Sequence, residues 1–407
     1  VSATSLNSRF LLSIASYAFS QGCIFLGFTW LVLQGETALL GRVGLGLGYL
    51  VLGMGLGDWG GLSLLGKYFL NGTLRRDLPQ IDRSRLTAST CVAGAILALG
   101  FATADAFVSA MLICGAPAVL VWGLNLTGAI EALPRARGAR LVQGIPFILA
   151  GASIPLLPRL ENLYVAGAAI GCAFTVGALV AVILQRLFFR ATSAADFPTE
   201  SNNHTASYAR NGAWNIFSFL PGQFYGAGCL WLVAQMLSFE VAGLFVYARA
   251  VVVFATQLVT IGSRVYSVRL VTLLALPRYR FLTIIGQFKE VLVFSVLVGL
   301  LISGCAWLLK DALSQGHIAE TLYWTSIYAL IIPLTALGMI TFQVCVMATK
   351  DVPYAIVNLI SIIVGFIVFF ATIGPIGLMA FMVGELMQVL IRVGWAGTAL
   401  SKDTKGL

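Results

Sequence analysis

The 407-residue chain is poor in charge and almost without histidine: only 10% of its residues are Asp, Glu, Lys or Arg, and His204 and His317 are its two imidazoles. A histidine-dependent triad or a His-ligated metal centre therefore has almost nothing to be built from. Its 7 cysteines include no C-x-x-C pair, so neither a zinc site nor a disulfide framework is indicated. Each lies in a long apolar run, where cysteine serves as a small packing residue. These absences exclude most soluble-enzyme chemistry, and no cofactor is expected.

What the chain has is apolar sequence, 59% hydrophobic residues with a mean hydropathy of +0.93. A hydrocarbon core about 30 Å thick needs roughly 20 apolar residues per helix. About twelve such runs are predicted, near roughly 10–33, 43–66, 87–104, 106–130, 141–157, 163–185, 211–237, 241–263, 290–309, 321–348, 354–372 and 376–399. The first has no A-x-A-like cleavage site and reads as a span, not a cleavable signal. The tight turns near Asp105 and Gly374-Pro375 are candidate re-entrant breaks.

Basic residues fix the expected orientation, because Lys and Arg are retained in the cytoplasm. Most of the 25 fall on one side of this topology, as in Arg75, Arg76, Arg83 and Arg85, whereas Arg42, Arg159 and Lys310 fall on the other. Both termini are thus predicted to be cytoplasmic. The net charge of +9 is dispersed over the cytoplasmic segments, which suits membrane lipid headgroups and gives no reason to expect nucleic acid. Between Arg186 and Arg210 the composition turns polar, with Ser193, Asp196, Pro198, Glu200 and Asn202 in quick succession. The expected organisation is a six-helix lobe (1–190), a cytoplasmic linker (191–209) and a second six-helix lobe (210–407), arranged around a central cavity.

Gly55, Gly57 and Gly60 satisfy G-x-G-x-x-G, yet they fall within an apolar run with no preceding strand, which argues against a dinucleotide site. Glycines four apart, such as Gly53, Gly57 and Gly61, instead predict a helix face that a neighbouring backbone approaches closely. Asp58 falls at the cytoplasmic end of that run, beside Trp59, and reads either as a helix-end residue or as a coupling residue.

The segment Gly57-Asp58-Trp59-Gly60-Gly61-Leu62 resembles the Asp-aromatic-Gly-Leu signature of bacterial polysaccharide flippases, the O-antigen and capsule translocases of the multidrug/oligosaccharidyl-lipid/polysaccharide (MOP) superfamily. Ala242-Gly243-Leu244-Phe245-Val246-Tyr247-Ala248 resembles that family's Gly-aromatic-x-x-Ala pattern and adds Tyr247 to the candidate cavity residues. Relatives often carry a charge in the seventh span, whereas here Asn211, Asn215 and Gln223 are its strongest polar groups. The resemblance implies export of an undecaprenyl-pyrophosphate-linked oligosaccharide across the bacterial inner membrane by alternating access. It also implies coupling, if any, to a proton or a sodium ion, and glycan polymerase or assembly proteins as partners.

The polar residues within the spans are compatible with that reading. Arg9, Ser13, Ser16 and Ser20 share one face of the first span, Asn211, Asn215 and Ser218 one face of the seventh before Pro221-Gly222, and Arg249, Thr256, Thr260 and Arg264 one face of the eighth. Any single Ser or Thr can instead bond back to its own helix. A charge at mid-bilayer costs about 2.5–3.5 kcal/mol on insertion scales, so such residues usually face a cavity. Arg249 is accordingly a candidate contact for an anionic substrate, since a guanidinium stays charged and bonds bidentately. Glu385, Gln388 and Arg392 share a face of the last span, which reads either as a buried polar patch satisfying neighbouring helices or as a coupling site with Glu385 and Arg392 as candidate residues.

Three other readings are weighed. A drug or cation antiporter of the same superfamily is expected to need a carboxylate in the first span, and none is present there. The loop after the second span lacks the D-R-x-G-R-R pattern of a major-facilitator transporter. A membrane-embedded polymerase or acyltransferase needs a larger outer loop or catalytic His and Asp residues.

Overall fold

The structure is a computed structural model that describes residues 3–70, 72–132, 139–191, 208, 212, 216, 221–264, 281–313, 316–348 and 351–402. The first part comprises α1 (Ala3–Leu33), α2 (Thr37–Gly57), α3 (Gly61–Leu70), α4 (Leu74–Ala102), α5 (Ala106–Trp122), α6 (Thr127–Ala132), α7 (Ala139–Ser153), a 3-10 turn (Ile154–Arg159) and α8 (Leu163–Ala191). The second comprises α9 (Pro221–Met236), α10 (Phe239–Arg264), α11 (Phe281–Gln287), α12 (Lys289–Ala312), α13 (Gly316–Ala329), α14 (Ile332–Met347), α15 (Asp351–Ile376) and α16 (Met379–Lys402). No strand occurs among the described residues.

Eight described helices are long and apolar enough to cross a membrane, and α13 with α14, bent by 42° at a short break, pass the same test only as a pair. The chain is an all-α, multi-pass membrane protein. It divides into two compact units, one of Val1–Glu36 with Arg42–Ile216, the other of Thr37–Gly41 with Phe217–Leu407.

In the first unit α5 is apolar all round and correspondingly buried, with Phe107, Met111, Gly115 and Val119 all enclosed. Small residues let neighbouring backbones reach one another. A Cβ at Gly167 of α8 would strike the Phe107 carbonyl, and one at Gly171 would lie 2.6 Å from the Met111 carbonyl. On the glycine face predicted on α2, Gly57 meets the backbone of Ser89, whereas Gly53 instead receives the side chains of Val119 and Ile96.

Two expected spans are shorter than predicted. The run 43–66 breaks after Gly57, because Trp59 (φ +48°) and Gly60 (φ +76°) adopt left-handed backbone that a right-handed helix cannot continue. The run 106–130 ends at Trp122, and α6 follows as a separate short helix. Conversely, the third span extends back to Leu74, so the basic stretch 74–85 is helix, not loop.

In the second unit α15 and α16 are joined by Gly377, whose φ of +56° reverses the chain. The turn thus falls two residues beyond the expected Gly374-Pro375, with Pro375 still inside α15. A short helix, α11, occupies part of an expected loop. Pro221 opens α9, and residues 217–220 before it lie outside the described residues. Aromatic rings knit this unit: Phe381 stacks on Tyr225 (5.3 Å between centroids) and on Tyr328 (5.8 Å), and meets Phe245 edge-on at 5.0 Å. The buried phenols are satisfied by backbone, Tyr225 donating to the Phe381 carbonyl (3.3 Å) and Tyr328 to that of Leu378 (2.6 Å).

Candidate functional site

A cavity of about 310 Å³ opens within the second unit between α9, α10, α14, α15 and α16. It brings together four of the residues predicted from sequence: Gln223 of α9, Arg249 of α10, and Glu385 and Arg392 of α16. The rigid aromatic cluster at Phe381 fixes α16 one turn before Glu385, which sets the height of that carboxylate.

Arg249 is seated by a glycine. Its guanidinium lies against the backbone of Gly226, where a Cβ would collide with Nη2 and Cζ. Arg392 is held from the other side, donating from Nε to the Gln388 carbonyl (3.2 Å) and from Nη1 to Oδ1 of Asn358 (3.4 Å). Glu385 interacts electrostatically with both arginines. No direct ion pair joins the three among the described residues. Opposite charges facing one cavity without direct contact leave the hydrogen-bonding capacity they do not spend on the protein to a guest.

Two amide atoms add to that capacity. Oε1 of Gln223 and Nε2 of Gln388 are buried with no hydrogen-bond partner among the described residues, and both side chains line the cavity. An unmet buried donor or acceptor costs about 1–3 kcal/mol, and a polar ligand bonding to both would recover it. Gly365 opens the space Gln388 occupies, since a Cβ there would lie 2.5 Å from Nε2. Thr256 also lines the cavity, and its hydroxyl bonds back to the Val252 carbonyl at 2.5 Å.

The other predicted residues are placed elsewhere. Tyr247 is half-buried on α10 and is not among the cavity-lining residues. Asn211 and Asn215 lie outside the described residues, as do the side chains of Arg9 and Arg264. Ser16 and Ser20, from the predicted stripe on α1, are buried, and Ser20 packs against Gly144 of α7.

Asp58 belongs to a separate polar node in the first unit. The fully buried Arg85 donates to the Asp58 carboxylate, from Nε to the Asp58 carbonyl (3.0 Å) and from Nη1 to the Asn125 carbonyl (2.6 Å). Asn125 Nδ2 donates to the same carboxylate oxygen at 2.5 Å. Gln185 of α8 joins in, accepting from the Leu126 amide (2.7 Å) and donating to the Thr127 hydroxyl (3.0 Å). The glycines around Asp58 make this possible, because a Cβ at Gly61 would lie 2.5 Å from Arg85 Nη2 and 2.6 Å from Asp58 Oδ1. The Gly-Asp-Trp-Gly-Gly segment is thus a helix break whose Asp58 carbonyl and carboxylate are both held by Arg85. The charge pattern groups Arg85 with lipid-facing cations; its burial against Asp58 corrects that, and an acid and a base at the facing ends of two successive apolar runs were the signal available.

No protein-family model and no curated protein matches the chain. Solved structures do resemble it in fold. The MATE multidrug transporter DinF-BH, solved with a bound ligand, is 11% identical, with a TM-score of 0.63 over 97% of this chain and 95% of that one. A MATE protein in complex with MaD3S is 12% identical, with a TM-score of 0.61 over 98% and 96%. An outward-facing multidrug resistance MATE family transporter of the MOP superfamily is 13% identical, with a TM-score of 0.57 over 99% and 96%. The chain therefore has the fold of MATE transporters.

Proposed function

We propose that this protein is a bacterial inner-membrane exporter of an anionic, lipid-linked glycan, an undecaprenyl-pyrophosphate-linked oligosaccharide, working by alternating access. In this reading it has twelve spans with both termini in the cytoplasm, and its cycle is coupled to a proton or sodium ion at Glu385. The observation that carries the proposal is the composition of the cavity in the second unit, where two guanidinium groups face one carboxylate among the described residues. Arg249 and Arg392 suit a pyrophosphate or an acidic sugar, and Gln223 Oε1 and Gln388 Nε2, without a partner among the described residues, suit sugar hydroxyls.

A second reading is export of lipophilic drugs, favoured by the multidrug description of the structures that share the fold. A cationic drug would be repelled by the excess of arginine in this cavity, which ranks that reading second. Replacing Arg249 with Ala in a strain that depends on the protein for surface glycan tests the proposal. Glycan display is expected to be lost at normal protein abundance, with Lys rescuing only in part because its point charge cannot bond bidentately. Unchanged display in the Ala variant would contradict it.

A further inference from the structure

A second cavity, of about 360 Å³, lies in the first unit between the first turns of α4 and the last turns of α8, and the transport reading makes no use of it. Its wall is Arg75, Leu78, Arg186, Phe189 and Arg190. We propose that it binds the phosphate headgroup of an anionic membrane phospholipid whose acyl chains run along α8.

Among the described residues, three guanidinium groups and no carboxylate line this cavity. Arg186 is held rigidly, Nη1 and Nη2 each donating to Asp82 at 2.7 Å and Nε to the Leu124 carbonyl at 2.9 Å. Asp82 offsets much of its charge, and Arg75 and Arg190, both exposed, complete the basic wall. Leu78 and Phe189 give the cavity an apolar side, which a free inorganic anion does not need and a lipid's glycerol and proximal methylenes fit.

The neighbouring surface points to a lipid and not a soluble phosphate. Leu179, Val180, Ile183, Leu184, Leu187 and Phe188 are all exposed on α8, recurring every three to four residues up to the cavity. That strip is about 15 Å long at 1.5 Å per residue, about half of a 30 Å hydrocarbon core and thus the depth of one leaflet. An acyl chain lying on it would bring its phosphate to Arg75 and Arg190. The site would hold α4 against α8 beside the Asp58–Arg85 node.

The test is lipid titration of the full-length protein in neutral detergent, read by native mass spectrometry, with phosphatidylglycerol, phosphatidylcholine and inorganic phosphate as separate probes. The wild type is expected to retain phosphatidylglycerol in preference to phosphatidylcholine. Arg75→Gln with Arg190→Gln should weaken phosphatidylglycerol by about thirty-fold and leave phosphatidylcholine unchanged. Both side chains are exposed, and circular dichroism would confirm that the variant folds. Equal retention of the two lipids, equal binding by wild type and variant, or complete displacement of phosphatidylglycerol by millimolar phosphate would each overturn the proposal.

Discussion

The guanidinium of Arg249 rests on the backbone of Gly226, so closely that the arginine occupies the space where any other residue would place its Cβ. A cation in an apolar bundle is positioned here by the absence of a side chain on the facing helix. Gly226→Ala is therefore expected to displace Arg249 from its seat while leaving α9 helical, since alanine is the better helix former. Misplacing a positioning group costs roughly ten- to a hundred-fold in a step that depends on geometry. Gly304→Ala, at a position with nothing within 4 Å of the added Cβ, is the matched control. A Gly226→Ala variant that transports as well as the control would remove Arg249 from the site.

The Asp58–Arg85–Asn125 node carries a different expectation, one of stability. Arg85 is fully buried, and truncating one partner of a buried ion pair typically costs about 3–5 kcal/mol because the other charge is left uncompensated. Arg85→Ala should therefore lower the thermal midpoint of the purified protein sharply, and Asp58→Asn should do so less, because an amide oxygen still accepts from Arg85. Midpoints within a degree of wild type for both variants would show that the node contributes nothing to the fold.

Much of the all-helical, membrane-crossing architecture was legible from apolar run lengths, and eight of the described helices are long and apolar enough to cross a membrane. The departures have local causes. The break after Gly57 depends on left-handed backbone at Trp59 and Gly60, and no hydropathy scale registers a backbone dihedral. The extension of α4 through Arg75, Arg76, Arg83 and Arg85 was hidden because charge, which lowers hydropathy, leaves helix propensity intact. Of the site, Arg249, Glu385, Gln223 and Arg392 were visible as polar groups inside apolar runs. Their convergence on one cavity was not visible, because it depends on how α9, α10, α15 and α16 pack, and helical spacing relates residues only within one helix. Asn358 and Arg85 were missed for the same reason: each acquires its role from a partner more than twenty residues away.

Glu385 offers a test of energy coupling. Glu385→Gln keeps the shape of the side chain but cannot bind and release a proton, and removing a charge lowers the cost of insertion. In proteoliposomes, transport by the wild type should respond to an imposed pH gradient and the Gln variant should lose that response at similar abundance. A wild-type rate indifferent to both pH and sodium gradients would reduce Glu385 to a counter-charge for Arg249 and Arg392.

The most direct measurement compares cargo in one preparation: proteoliposomes holding the purified protein, assayed in parallel for translocation of an undecaprenyl-pyrophosphate-linked oligosaccharide and of a lipophilic cationic dye. The cavity of the second unit, with Arg249 and Arg392 outweighing Glu385, predicts that the anionic glycolipid crosses, that the dye does not, and that Arg249→Ala abolishes the former. Dye transport that survives Arg249→Ala, with no movement of the glycolipid by the wild type, would contradict the account and make the protein a drug exporter.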